Sequence, residues 1–192
     1  MYQFCKNAPL AELNARGEGN ELIFSTPNEV ARVTLSDSGD ILSVVHTDLV
    51  EKNERLISDA DSHHIVVGEG NWRRDVYHFL KPNPSPHLQM RLGLTVHDGK
   101  GTWSSLPHDF EKRLEQGFEE VFFYLLAGAS QRAIQVGRGV WMDNSEVDEI
   151  WPITDRVFGV VPMGYHPVVG EPGVSVRYVW AYLVKFPHWE KI

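Results

Sequence analysis

The chain has 192 residues, a net charge of −8 with histidine neutral, 42% apolar residues and 23% charged ones. That balance is ordinary for a globular protein long enough to bury a core, and the acidic surplus argues against nucleic acid and anionic membrane as partners. No stretch approaches the ~20 apolar residues of a membrane helix. The N-terminus lacks a basic segment followed by an apolar run, and the single cysteine, Cys5, excludes a disulfide framework or a thiolate cluster, so the cytoplasm is the expected location.

Residues 1–20 are polar and irregular, with one short helical possibility over 9–16. Beyond them the chain reads as short strands. Runs 21–25, 30–36 and 41–46 are β-rich and separated by turns at Pro27-Asn28 and Ser38-Gly39-Asp40. Segments 64–68, 76–80 and 88–96 follow, and Asp98-Gly99-Lys100-Gly101 is a hairpin signal. Segment 102–105 leads into a loop over 107–117, within which 110–116 can carry a helical turn. The strongest strand is 118–126, followed by 133–142, 156–161 and 175–185. Many short strands at turn-punctuated spacing predict an all-β sandwich or barrel. Amphipathic crossover helices, which a parallel α/β fold needs, are missing. A soft division near Gly70 or Pro86 separates a shortened N-terminal β-unit (1–86) from a second unit (87–192), and the two can pack as one domain.

In 118–126, FEEVFFYLL, alternation puts Glu120, Phe122 and Tyr124 on one face and Glu119, Val121 and Phe123 on the other. Both faces are mostly apolar, which predicts cover on both sides. A carboxylate at the start of such a strand needs a partner, either a metal ion or an arginine, unless the strand end is solvated. His108 follows Pro107 in a loop, and His166 sits among Pro162, Gly164 and Pro167. Each histidine is weak alone. On different strands of one barrel, the three residues can converge on its axis, and imidazole with carboxylate suits zinc, manganese, iron or nickel.

Six pieces in order carry a resemblance: GEGNWRRDV (68–76), GTWSSLPH (101–108), FEEVFFY (118–124), VWMDNSEVDE (140–149), VPMGYHPV (161–168) and RYVWAYL (177–183). Together they resemble the bacterial family that joins 5-deoxyglucuronate isomerase with 5-keto-4-deoxyuronate isomerase. The resemblance implies a cupin-type, jelly-roll-like β-barrel with one divalent metal in the C-terminal unit. It implies ligands at His108, Glu120 and His166. The family's second histidine of an H-x-H pair falls on Phe110, which cannot bind metal; Asp109, Glu111 and Glu115 are nearby alternatives. The family's last strand also tends to carry asparagine where Trp180 stands.

The implied activity is metal-dependent aldose–ketose isomerisation of a uronate or deoxyuronate-like sugar acid, zinc being the first choice of ion. Its general base is not identified by the sequence. Arg138 and Arg177 are candidates for the substrate carboxylate, and Tyr124 and Tyr178 either line the pocket or fill the barrel. The changed ligand position leaves two alternatives, a cupin of another enzymatic class (dioxygenase or epimerase) and a non-enzymatic sugar-acid-binding cupin. A homodimer is compatible with the pattern. GEGNW lacks the strand and helix of a nucleotide loop. His63 and His64 read as surface loop residues, His46 as structural, and His78, His87, His97 and His188 have no spacing partner that makes a ligand set.

Overall fold

The structure, a computed structural model, describes residues 10–97, 103–104, 119–140, 146–160 and 166–185. The regular structure of the described residues is almost entirely strand, arranged in three antiparallel sheets, and the architecture is an all-β, cupin-type barrel with an added N-terminal sheet.

The N-terminal sheet is a meander of β1 (Asn14–Glu18), β2 (Glu21–Ser25), β3 (Glu29–Leu35), β4 (Ile41–Asp48) and β5 (Asn53–Ser58). Its β1–β2 turn is the two residues Gly19-Asn20, with Gly19 at φ +59°, a conformation that costs glycine little. Alternation along β3 turns Glu29, Ala31, Val33 and Leu35 inward. The helical turn expected over 9–16 is not formed at its C-terminal end, where Asn14–Arg16 pair with β2. A single polar turn of helix is costly to nucleate, whereas a neighbouring strand offers backbone partners at once.

The six-stranded sheet has the order β13 (Val157–Gly159), β10 (Glu120–Ala127), β15 (Ser175–Leu183), β8 (Met90–Val96), β7 (Arg74–Leu80), β6 (His63–Val67). The third sheet has the order β12 (Glu146–Ile153), β11 (Ala133–Val140), β14 (Val168–Gly170), β9 (Trp103–Ser104). The expected division at residue 86 falls in the loop between β7 and β8, which are hydrogen-bonded neighbours. Strands β5 and β12 were not anticipated. Neither has a clean apolar alternation, and β12 carries Pro152, which an edge strand tolerates.

The six-stranded sheet is packed on both faces. Against one face lies the N-terminal sheet, with Phe24 edge-on to Phe158 at 6.1 Å and Phe158 against Phe123 at 4.8 Å. Against the other lies the third sheet, where Gln135 of β11 meets Tyr124 of β10. Strand β10 is therefore buried from Val121 to Leu126, as its two apolar faces predict.

Buried carboxylates tie the N-terminal sheet to the barrel. Glu29 Oε1 accepts the amide N–H groups of Gln89 (2.7 Å) and Met90 (2.8 Å), and its Oε2 lies 2.8 Å from His46 Nε2. His46 is thus structural, and Arg55 Nε donates to its Nδ1 at 3.2 Å. Because Glu29 and Met90 are both buried, removing the carboxylate strands two amide donors and an imidazole. Glu29→Ala is expected to destabilise the chain by about 3 kcal/mol, measured as a lower urea midpoint with an unchanged slope.

Candidate functional site

Alternation in β10 points Glu119 and Glu120 to opposite sides. Glu119 is buried toward the N-terminal segment, accepting from the amides of Leu13 (2.7 Å) and Glu12 (3.0 Å) and from Lys185 Nζ (2.7 Å). Burial alone would push its carboxyl up, but the Lys185 ammonium and those two amides hold it below the ordinary range. Glu119 is a clamp, which leaves Glu120 as the carboxylate of the inner face.

Glu120 begins β10 with Phe122 and Tyr124 behind it on the same face. His166, just ahead of β14, comes in from the third sheet and is buried. Its Nε2 lies 3.6 Å from Glu120 Oε2, and its ring stands edge-on to Phe122 at 5.5 Å. A spacing of 3.6 Å exceeds an ordinary hydrogen bond. It is close to the ~3.4 Å edge between two ligands of one ion with bonds of about 2.1 Å.

The backbone behind His166 is held by a short polar chain. The Tyr124 hydroxyl donates to Gln135 Oε1 at 2.7 Å, and Gln135 Nε2 donates to the carbonyl of His166 and, at 3.4 Å, to that of Pro167. Gln135 is fully buried. Burial, with Tyr178 and Glu120 nearby, pushes the Tyr124 hydroxyl well above its ordinary pKa, so it stays a neutral donor. Tyr178 shares this face, its ring 6.4 Å from Tyr124 and 5.8 Å from Phe122.

The structure thus gathers Glu120, His166, Tyr124 and Tyr178 on one face. His108 lies outside the described residues, as do Asp109, Phe110, Glu111 and Glu115. Arg177 is on the opposite face of β15 from Tyr178, paired with Asp40 of the N-terminal sheet. Arg138 is exposed on β11, 3.9 Å from Asp148. Neither arginine is brought to the Glu120–His166 pair. Gln135 was not anticipated, although a lone amide on the Ala133–Gln135–Gly137 face of a buried strand is a legible signal.

Residues 12–191 match the family described as KduI/IolB. The chain belongs to the KduI/IolB family. It is 32% identical over 132 residues to the 5-deoxy-glucuronate isomerase of Halalkalibacterium halodurans, a match covering 67% of this chain and 46% of that protein. It is 31% identical over 129 residues to the 5-deoxy-glucuronate isomerase of Bacillus subtilis strain 168, covering 65% and 46%. The chain therefore spans about half the length of the curated relatives it matches. An IolB-like protein from Salmonella typhimurium LT2 has the same fold, with a TM-score of 0.56 at 22% identity over 92% of this chain and 72% of that one.

This KduI/IolB chain has a second cluster of ligand types. Asp48, Glu51 and His87 place one ligand atom each within 4.8 Å of one another, at the β4–β5 turn and the loop before β8. Such a set can hold a divalent ion. The 39-residue separation of Asp48 and His87 hides it from the sequence. Its carboxylate is already engaged: Asp48 Oδ1 accepts the amides of Val50 (2.9 Å) and Glu51 (3.0 Å), and Oδ2 lies 2.9 Å from His87 Nε2. Among the described residues no helix is long and apolar enough to cross a membrane.

The Asp48–His87 pair has a definite pH signature. The hydrogen bond to Asp48 raises the His87 pKa, and the Glu51 amide, with His87, lowers that of Asp48. Stabilisation from His87 is full below histidine's ordinary value and is lost as pH rises through the raised one. Stabilisation from Asp48 is present above the ordinary carboxylate range and is lost as pH falls through the lowered one. His87→Gln should therefore lower the urea midpoint more at about pH 5.5 than at about pH 9. Equal losses at both would refute the pairing.

Proposed function

We propose that this chain is a metal-dependent isomerase of carbohydrate catabolism, interconverting aldose and ketose forms of a deoxyuronate-like sugar acid in the cytoplasm. One divalent ion, zinc by the ligand types, would be held by Glu120, His166 and His108. The observation that carries this reading is the Glu120–His166 pair, 3.6 Å apart on the inner face of the barrel, in a chain whose KduI/IolB match runs over residues 12–191. Both side chains are largely withdrawn from solvent, at 13% and 8% exposure, where unpaired charge is costly and a shared cation relieves it.

A bound ion would supply Lewis-acid polarisation of the substrate carbonyl. The chain's own residues do the rest. Tyr124 and Gln135 fix the backbone at His166, and so aim its imidazole at Glu120. Phe122 packs against the His166 ring, and Tyr178 packs against Phe122; together they line that side with aromatic rings. The Tyr124 proton stays on its oxygen at neutral pH, so Tyr124 acts as a donor rather than as the base that moves the substrate proton.

The test is metal content and turnover of the full chain. Purified protein is expected to carry stoichiometric metal and to form ketose from a deoxyuronate, with activity abolished by chelator. Glu120→Gln and His166→Ala should each lose metal affinity by about 100-fold while Asp48→Asn retains it; the reverse pattern would move the site to the β4–β5 turn. Metal-loaded protein that turns over no member of a uronate and deoxyuronate panel would overturn the proposal. Tyr124→Phe, which removes the donor to Gln135, should weaken metal binding by about tenfold through His166 without unfolding the barrel; unchanged affinity would show that the chain does not orient that histidine.

A further inference from the structure

The face that carries Glu120 continues across the sheet into a cleft of different chemistry. In the strand register Glu120 lies opposite Tyr182, and Tyr182 opposite Arg91. Two residues along, Phe122 lies opposite Trp180, Trp180 opposite Gly93, Gly93 opposite His78, and His78 opposite His63. Directly opposed residues present their side chains on the same face. Tyr182, Arg91, His78 and His63 therefore project from the face of Glu120 and Phe122, and with Lys81 they line one cleft at the β6–β7–β8 end.

The chemistry of that cleft is one-sided. Lys81, Arg91, His63 and His78 line it, none of the described residues lining it is a carboxylate, and Lys81 Nζ donates to the Asp61 carbonyl at its edge (3.2 Å). The Arg91 side chain is buried, its Nη1 donating to the carbonyls of Met90 (3.1 Å) and Leu88 (3.4 Å), which hold the guanidinium at the cleft wall. The rings of His63 and His78 are 6.1 Å apart, and His78 stands edge-on to Trp180 at 5.3 Å. Burial and then the positive neighbours His63 and Lys81 disfavour a proton on His78.

We infer that this cleft seats the carboxylate of the sugar acid whose carbonyl end lies at Glu120 and His166. The inference rests on the isomerase reading above and adds where the substrate's anionic end goes. Two strand-to-strand steps separate Glu120 from Arg91, about 10 Å between α-carbons, roughly the reach of an extended acyclic acid of about six carbons. Guanidinium and ammonium groups on a partly buried wall are the usual recognition chemistry for such a carboxylate. Tyr182, between the two ends and stacked on Trp180 at 5.7 Å, forms the floor between them.

The test uses the full chain and three probes: D-gluconate, inorganic phosphate and neutral sorbitol. Calorimetry should find gluconate binding, sorbitol not binding and phosphate binding more weakly than gluconate, with the His63 and His78 ring resonances shifting on gluconate addition. Lys81→Met, at an exposed position that leaves the fold intact, and Arg91→Lys, which keeps the charge but loses the fork, should each weaken gluconate by about tenfold. Phosphate binding as tightly as gluconate would reduce the cleft to a general anion site and overturn the inference, as would gluconate affinity unchanged in both variants. Gluconate binding that depends on Lys81, in a chain that isomerises no uronate, would sink the isomerase reading and leave the carboxylate seat standing. Turnover with an unchanged KM in both variants would do the opposite.

Discussion

Strand β10 is enclosed by protein on both sides, and this enclosure determines what its two consecutive glutamates must do. A carboxylate leaving either face of a covered strand enters a medium where it has to find partners. Glu119 finds them in two backbone amides and a lysine, and so anchors the N-terminal segment. Glu120 emerges on the other face opposite His166. One strand thus separates a carboxylate bound to backbone amides and a lysine from one that faces a histidine, by a single residue of alternation. A slip of one residue in the β10–β15 register would exchange the two roles.

The N-terminal sheet is more than an appendage. It covers the outer face of the six-stranded sheet and is fastened there by polar contacts: Glu29 on the Gln89 and Met90 amides, Asp48 on His87, Asp40 on Arg177, and Arg156 on the Gly19 carbonyl at 2.9 Å. Charged groups that would be expensive to bury alone are satisfied by backbone or by an opposite charge. The sheet's apolar residues, Leu22, Phe24, Val33 and Val44 among them, join the same continuous core as β10 and β15. The six-stranded sheet is thus covered on its back by this sheet as it is in front by the third sheet.

Much of this was legible because it is local. Alternation in FEEVFFYLL placed Glu120, Phe122 and Tyr124 together, and ordered motifs pointed to the family and the barrel. Long-range pairings were not legible. Glu29 meets the Met90 amide across 61 positions and Glu119 meets Leu13 across 106, and nothing in either neighbourhood signals the partner. The same limit applies to arginines. From sequence, Arg177 stands beside Tyr178 and looks available to the pocket, but alternation turns it to the other face, where Asp40 awaits. Strand β12 was hidden for a different reason: an exposed edge needs no apolar face, and proline is depleted in strands.

That proline also limits how copies of this chain can meet. Pro152 sits opposite Ile134 in the outermost strand of the third sheet, and it has no N–H to offer on either side. A strand arriving from another molecule along that edge would lose a rung of its ladder there, and the edge also carries the acidic residues Asp148 and Glu149. Sheet-to-sheet continuation between two copies is therefore discouraged along β12, the edge of the third sheet among the described residues.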